Sequence, residues 1–124
     1  MNTILIVEDN DKNMKLVRDV LQAKGYATIE AGTGEDGVRL AAEHKPDLVL
    51  MDIHLPGMSG IEALSHLRAE AATASIPVAA VTASVMQQDR AMIMDAGFDA
   101  YVSKPISLRE FLDTVSTLLE RGRR

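Results

Sequence analysis

Residues 47–52 read Asp47-Leu48-Val49-Leu50-Met51-Asp52, so that four large apolar side chains stand between two carboxylates. A continuous apolar run of this length is typical of a strand buried on both faces of a parallel sheet. Four further segments have the pattern of strands, and the second in chain order alternates in polarity, as an edge strand does. We therefore predict five strands, at Thr3–Val7, Tyr26–Glu30, Asp47–Met51, Val78–Val81 and Ala100–Val102.

Helical patterns separate these strands and follow the last one. The final helix is the clearest, because its apolar residues repeat at helical spacing: Leu108, Phe111, Leu112, Val115, Leu118 and Leu119. Capping motifs are predicted to begin three helices at Ser59, Ser84 and Ser107, and a weaker motif stands at Thr33. Five successive βα units predict a single-domain, doubly wound α/β fold over residues 1–124, with five parallel strands, five helices and no output domain.

Composition narrows the class of function. The chain has 124 residues and a net charge of -5, which disfavours nucleic-acid binding through phosphate contacts. It has no cysteine, which excludes disulfides and thiolate chemistry and is compatible with a reducing compartment. No apolar run approaches the roughly 20 residues that cross a bilayer, so we expect a cytoplasmic protein with no membrane association.

Polar side chains follow four of the apolar runs at the point where each predicted strand ends. They are Glu8 and Asp9, Asp52, Thr82, and Lys104. Ligands of open parallel sheets bind beyond the carboxyl ends of the strands, so these residues are predicted to form one site. Several carboxylates brought together repel one another unless a cation intervenes, and Mg²⁺ prefers oxygen ligands of this kind. The pattern predicts a site for Mg²⁺ and a phosphoryl group.

The motifs around these residues resemble those of bacterial response-regulator receiver domains, which are CheY-like. The resemblance covers essentially the whole chain and is carried by Ile4 to Asn10, Leu50 to Gly60, Val81-Thr82-Ala83 and Tyr101 to Pro105. It implies a flavodoxin-like sheet of strand order 2-1-3-4-5. Asn10, Asn13 to Leu16, and Ser103 to Ser107 are further similar to DivK-type single-domain regulators, which implies a role in cell-cycle or cell-division control.

The resemblance also implies a role for each site residue. Asp52 is the expected phosphoacceptor, and Lys104 is expected to pair with it before transfer and with the phosphoryl group afterwards. Asp9, Asp52 and the backbone carbonyl of His54 are expected to hold Mg²⁺, with Glu8 acting through water. Thr82 and Tyr101 are the expected switch pair. The Lys104-Pro105 bond is a candidate cis peptide.

The implied partners are histidine kinases or histidine phosphotransfer proteins, which the chain would meet as a monomer or weak dimer. Its only expected chemistry is its own phosphorylation and dephosphorylation, so it is not expected to be an enzyme. Three alternatives remain open at this point. In the first, the chain is a receiver excised from a hybrid kinase or larger regulator. In the second, it is a haloacid-dehalogenase-type aspartyl-phosphate phosphatase. In the third, it is a flavodoxin-like flavin module. The last two lack sequence support, since the Asp-x-Asp arrangement and the phosphate loop they need after the first strand are missing.

Overall fold

The computed structural model describes residues 2–83 and 87–122, with side chains of the fourth helix described from Arg90 onwards. Strands and helices alternate along the chain. The strands are β1 Thr3–Val7, β2 Ala27–Ala31, β3 Leu48–Asp52, β4 Val78–Thr82 and β5 Ala100–Ser103. The helices are α1 Asp11–Ala23, α2 Gly34–His44, α3 Gly60–Ala69, α4 Gln87–Asp95 and α5 Leu108–Arg121.

All the strands pair in parallel, in the order β2-β1-β3-β4-β5. The predicted fold class and strand order are thus confirmed, and β2 lies at an edge as its alternating sequence indicated. Strand bounds differ from the prediction by one residue at several ends. In particular, β3 extends through Asp52 and β4 through Thr82, so both polar residues close a strand rather than follow it.

The two faces of the sheet carry separate cores because successive side chains of a strand point to opposite faces. Ile4 and Ile6 pack with residues of α1 and α5 on one face. Leu5 and Val7 pack with residues of α2, α3 and α4 on the other. The central strands are buried along their whole length, which explains their unbroken apolar sequence.

Two expectations about the helices are wrong in detail. Leu108, the first residue of the predicted apolar stripe of α5, is 53% exposed, because the stripe meets the sheet only from Phe111 onwards. Ser107 is the N-cap residue of α5, yet its side chain makes no capping hydrogen bond. Ser59 and Thr33 do cap α3 and α2 through their hydroxyl oxygens. The cap predicted at Ser84 lies outside the described residues.

No helix within residues 2–83 and 87–122 is both long enough and apolar enough to cross a membrane.

Candidate functional site

The register of the sheet brings the polar strand ends to one edge. Val7 is paired with Met51, so Glu8 lies level with Asp52. Asp52 is paired in turn with Val81, next to Thr82. Because parallel strands all end at the same edge, the acids after β1, the acid that ends β3 and the hydroxyl that ends β4 form the floor of a single site.

Lys104 links the acids of this site. Its Nζ donates to Glu8 Oε1 at 2.8 Å and to Asp52 Oδ2 at 3.1 Å. The Lys104 side chain is only 17% exposed, and the two carboxylates are 5% and 6% exposed. The sequence predicted the pairing with Asp52 but not the shorter one with Glu8. The backbone N–H of Lys104 also donates to the carbonyl of Thr82 at 2.8 Å, and the Lys104–Pro105 peptide bond is cis.

Asp52 is held on both of its carboxylate oxygens. Oδ2 accepts from Lys104, and Oδ1 accepts from the backbone N–H of His54 at 3.1 Å. The His54 side chain is exposed. A carboxylate fixed by two donors is oriented before any ligand arrives.

Burial and mutual repulsion shape the charge of the site. Burial raises the pKa of the Glu8 carboxyl, and a hydrogen bond with Asp52 raises it further. The bonds from Lys104 and the Asn10 N–H oppose this shift without cancelling it. Burial alone would lower the pKa of Lys104, but its hydrogen bonds to Glu8 and Asp52 outweigh that cost and raise the pKa. The ammonium therefore stays charged.

The carboxylates of Glu8, Asp9 and Asp52 are arranged as a set of metal ligands would be. One oxygen from each can be chosen so that all three lie within 4.8 Å of one another. Three carboxylates face one ammonium, so the cluster keeps excess negative charge, and Asp9 is exposed and not paired with Lys104 in the described contacts. Hard oxygen donors with negative charge at an open edge fit Mg²⁺, which keeps several of its waters.

Local structure holds the acids in place. Asn10 is the N-cap of α1, and its side chain accepts from the backbone N–H groups of Lys12 and Asn13. Gly60 begins α3 beneath the site, where an added Cβ would stand only 2.9 Å from Ile53 Cα and would also overlap the Asp52 carbonyl. In the sequence, Asn10 and Gly60 stand out only as parts of motifs. Their packing roles appear once the loops are seen against the sheet.

The two predicted switch residues lie on neighbouring strands. Thr82 is fully buried at the end of β4 and is paired with Ser103 of β5. Tyr101 is half-buried on β5, two residues before Ser103, and is packed against the core of the α2–α4 face. Alternate residues of a strand share a face, so Tyr101 and the Ser103 position opposite Thr82 lie on one face of the sheet. Their roles remain predictions.

Residues 4–116 match the family described as the response regulator receiver domain. The polar-differentiation response regulator DivK of Brucella anthropi is 47% identical over 117 residues, covering 94% of this chain and 95% of that protein. The receiver domain of a Pseudomonas aeruginosa sensor histidine kinase, solved with magnesium in its active-site cleft, superposes with a TM-score of 0.90 at 31% identity, covering 96% and 98% of the two chains. Chemotaxis protein CheY4 of Vibrio cholerae has a TM-score of 0.88 at 22% identity over 95% and 98%, which is a likeness of fold.

Proposed function

This chain belongs to the response regulator receiver domain family, and we propose that it accepts a phosphoryl group on Asp52 as part of a two-component phosphorelay. Family membership removes the haloacid-dehalogenase-type phosphatase and the flavin module from consideration. The donor in this proposal is a phosphohistidine on a histidine kinase or a histidine phosphotransfer protein.

The contacts of Asp52 support the proposal most strongly. A carboxylate with only 5% of its residue exposed is costly unless it is paired, and here it is shared between Lys104 and the His54 N–H at the open edge of the sheet. A surface salt bridge would not require such burial. The arrangement suits a group that reacts at the sheet edge while its other atoms are fixed.

In the proposed transfer, a carboxylate oxygen of Asp52 attacks the phosphorus atom of the phosphohistidine. The new O–P bond forms as the N–P bond breaks, and the imidazole nitrogen leaves with the bonding electron pair and takes up a proton from water. Lys104 exchanges its contact with the free carboxylate for one with a phosphoryl oxygen, which keeps the charge of the acyl phosphate compensated.

The acids are well suited to hold Mg²⁺ beside Asp52. Asp9, Asp52 and the His54 backbone carbonyl are the proposed direct ligands, with Glu8 acting through water. When bound, Mg²⁺ supplies positive charge against the charge that develops on the transferring phosphoryl group. Turnover of an external substrate forms no part of the proposal, because the chemistry is confined to forming and hydrolysing the chain's own aspartyl phosphate.

The proposed output is a change of surface that another protein reads. The Thr82 hydroxyl would bind the phosphoryl group, drawing in the loop after β4, and Tyr101 would turn inward behind it. DivK of Brucella anthropi is named for polar differentiation, and its alignment spans 95% of that protein. By this similarity, we propose that the chain is a single-domain cytoplasmic regulator over residues 1–124, which acts in cell-cycle control through contacts with other proteins. A receiver attached to a histidine kinase is the second candidate, favoured only by the 31% identity to such a domain.

Labelling with a small phosphodonor tests the proposal. The chain incubated with Mg²⁺ and acetyl phosphate should gain one phosphoryl group by intact mass, and Asp52→Asn should gain none. Asp36→Asn is the matched control, since it makes the same change at an exposed carboxylate of α2. Equal labelling of Asp52→Asn and the parent would rule out Asp52 as the acceptor. Parent labelling that is unaffected when EDTA replaces Mg²⁺ would rule out a role for the metal.

A further inference from the structure

A cation lies over the ring of Tyr101. The guanidinium carbon of Arg90, on α4, is 5.1 Å from the centroid of the Tyr101 ring on β5. This distance is within the range of a cation–π interaction, which attracts a cation to the negative face of an aromatic ring. Among the described residues, no carboxylate forms an ion pair with Arg90, so the aromatic ring is its main electrostatic contact there.

The neighbour of Tyr101 on the adjoining strand is small. Tyr101 is paired across the strands with Ala80, whose side chain is a single methyl group. The ring is only half-buried and packs at the margin of the core formed with α2, α3 and α4. Arg90 lies on α4, the helix that follows the loop which the proposed switch would draw in. The contact therefore joins β5 to the helix that begins at the end of that loop.

A carboxylate that could replace the ring as a contact of Arg90 lines the same cleft as the arginine. Arg90, Tyr101, Ser103, Ser107 and Glu110 line a cleft of about 150 Å³ between α4, β5 and α5. If the ring turned inward, the carboxylate of Glu110, which lines the same cleft, would be available to the guanidinium. Because the guanidinium of Arg90 could then pair with Glu110, its contact with the ring can be exchanged for an ion pair instead of being lost.

We propose that Arg90 is a positioning residue that holds the Tyr101 ring in its observed, half-buried position and so limits how often the ring turns further inward before phosphorylation. The inference rests on the proposed function where it links the ring to phosphorylation, but the effect on the ring itself does not depend on that link. A cation–π contact at a partly exposed site biases such an equilibrium by about two- to fivefold.

Three variants separate charge from packing. Arg90→Gln removes the cation and keeps a polar side chain, whereas Arg90→Lys keeps a cation that can lie over the ring. Arg109→Gln is the control for net charge, because Arg109 is exposed on α5 and is not among the residues that line the cleft. Each variant is made with Tyr26→Phe, which leaves Tyr101 as the only tyrosine of the chain.

The first measurement is the side-chain rotamer population of Tyr101 in the unmodified protein, from three-bond coupling constants. Arg90→Gln should raise the minor population about two- to fivefold, while Arg90→Lys and Arg109→Gln stay close to the parent. Populations in Arg90→Gln that match those in Arg109→Gln would overturn the inference. So would a response of Arg90→Lys as large as that of Arg90→Gln, since a retained cation would then be irrelevant.

The second measurement is the apparent affinity for beryllofluoride with Mg²⁺, which mimics a phosphoryl group on a carboxylate. Because linkage is reciprocal, Arg90→Gln should bind it up to about two- to fivefold more tightly. Rotamers that respond while no variant binds beryllofluoride would refute the proposed function and leave the role of Arg90 at the ring intact. Beryllofluoride binding with unchanged rotamers would refute the role of Arg90 and leave the proposed function intact.

Discussion

Replacing Lys104 with methionine tests whether this ammonium holds the acidic site together. The change keeps most of the aliphatic side chain but removes the charge that bonds Glu8 at 2.8 Å and Asp52 at 3.1 Å. Removing one partner of a buried ion pair typically costs roughly 3–5 kcal/mol, because the other charge is left buried and uncompensated. Here the site is open at the sheet edge and the lysine side chain is 17% exposed, so we expect a loss of about 2 kcal/mol near pH 8.

The loss should depend on pH in a definite direction. The pKa of Glu8 is raised above its ordinary value, first by burial and then by Asp52, while Lys104 opposes the rise. Between the ordinary and the raised pKa, the folded state binds more protons than the unfolded state, so stability falls as pH rises through that window. Without Lys104 the window extends to higher pH. A proton on Glu8 relieves part of the charge that the variant leaves uncompensated, so the variant should lose less stability at pH 5.5 than at pH 8.

Urea unfolding in EDTA at the two pH values measures both effects. Lys15→Met is the matched control, because Lys15 bonds Asp19 at 2.7 Å but the two side chains are 69% and 50% exposed. Despite its shorter distance, this surface pair should leave the free energy of unfolding essentially unchanged. If Lys104→Met were as stable as the parent at both pH values, or lost more stability at the lower one, the account of the site's electrostatics would be wrong.

Three further changes probe a metal ligand, the support beneath Asp52, and an ion pair at the opposite edge of the sheet. Asp9→Asn should weaken Mg²⁺ binding at least about tenfold in a calorimetric titration while raising the metal-free melting temperature, since it removes a ligand and a like charge; unchanged Mg²⁺ affinity would remove Asp9 from the ligand set. Gly60→Ala should cost about 2 kcal/mol or more in urea unfolding, because its Cβ would overlap the backbone beneath Asp52; an undisturbed variant would mean that the loop has room to yield. Asp99→Leu should lower the free energy of unfolding by about 3 kcal/mol, because Asp99 accepts from Arg68 at 3.0 Å and from the Val78 N–H at 2.8 Å in a mostly buried pair. A loss no larger than that of Asp36→Leu, at an exposed carboxylate, would refute this.

The strands were predictable to within about one residue because burial on both faces leaves a continuous apolar signal. Prediction failed where a side chain's environment depends on distant parts of the chain. Leu108 continues the helical period of α5, but it lies beyond the sheet against which Phe111 packs. Periodicity specifies the direction of a side chain and cannot tell whether a neighbour is present there.

The candidate site was predictable from the strand ends, except for one contact. Glu8, Asp52 and Lys104 each lie at or after the end of an apolar run, and all parallel strands end on the same side, so the sequence alone predicts that they share one edge. The bond between Lys104 and Glu8 depends on β1 lying beside β3, which is a property of strand order. The contact of Arg90 with Tyr101 depends on how α4 docks on β5, and no local pattern in either segment encodes that distance.

Chemical trapping of the phosphorylated residue tests the central claim most directly. Sodium borohydride reduces an acyl phosphate to the alcohol, so a phosphorylated aspartate becomes homoserine and can be located by peptide mass spectrometry. After incubation with Mg²⁺ and acetyl phosphate, we predict homoserine at position 52 and at no other aspartate. Conversion at Asp9 or elsewhere, or a phosphoryl group gained by mass without conversion at Asp52, would contradict the account.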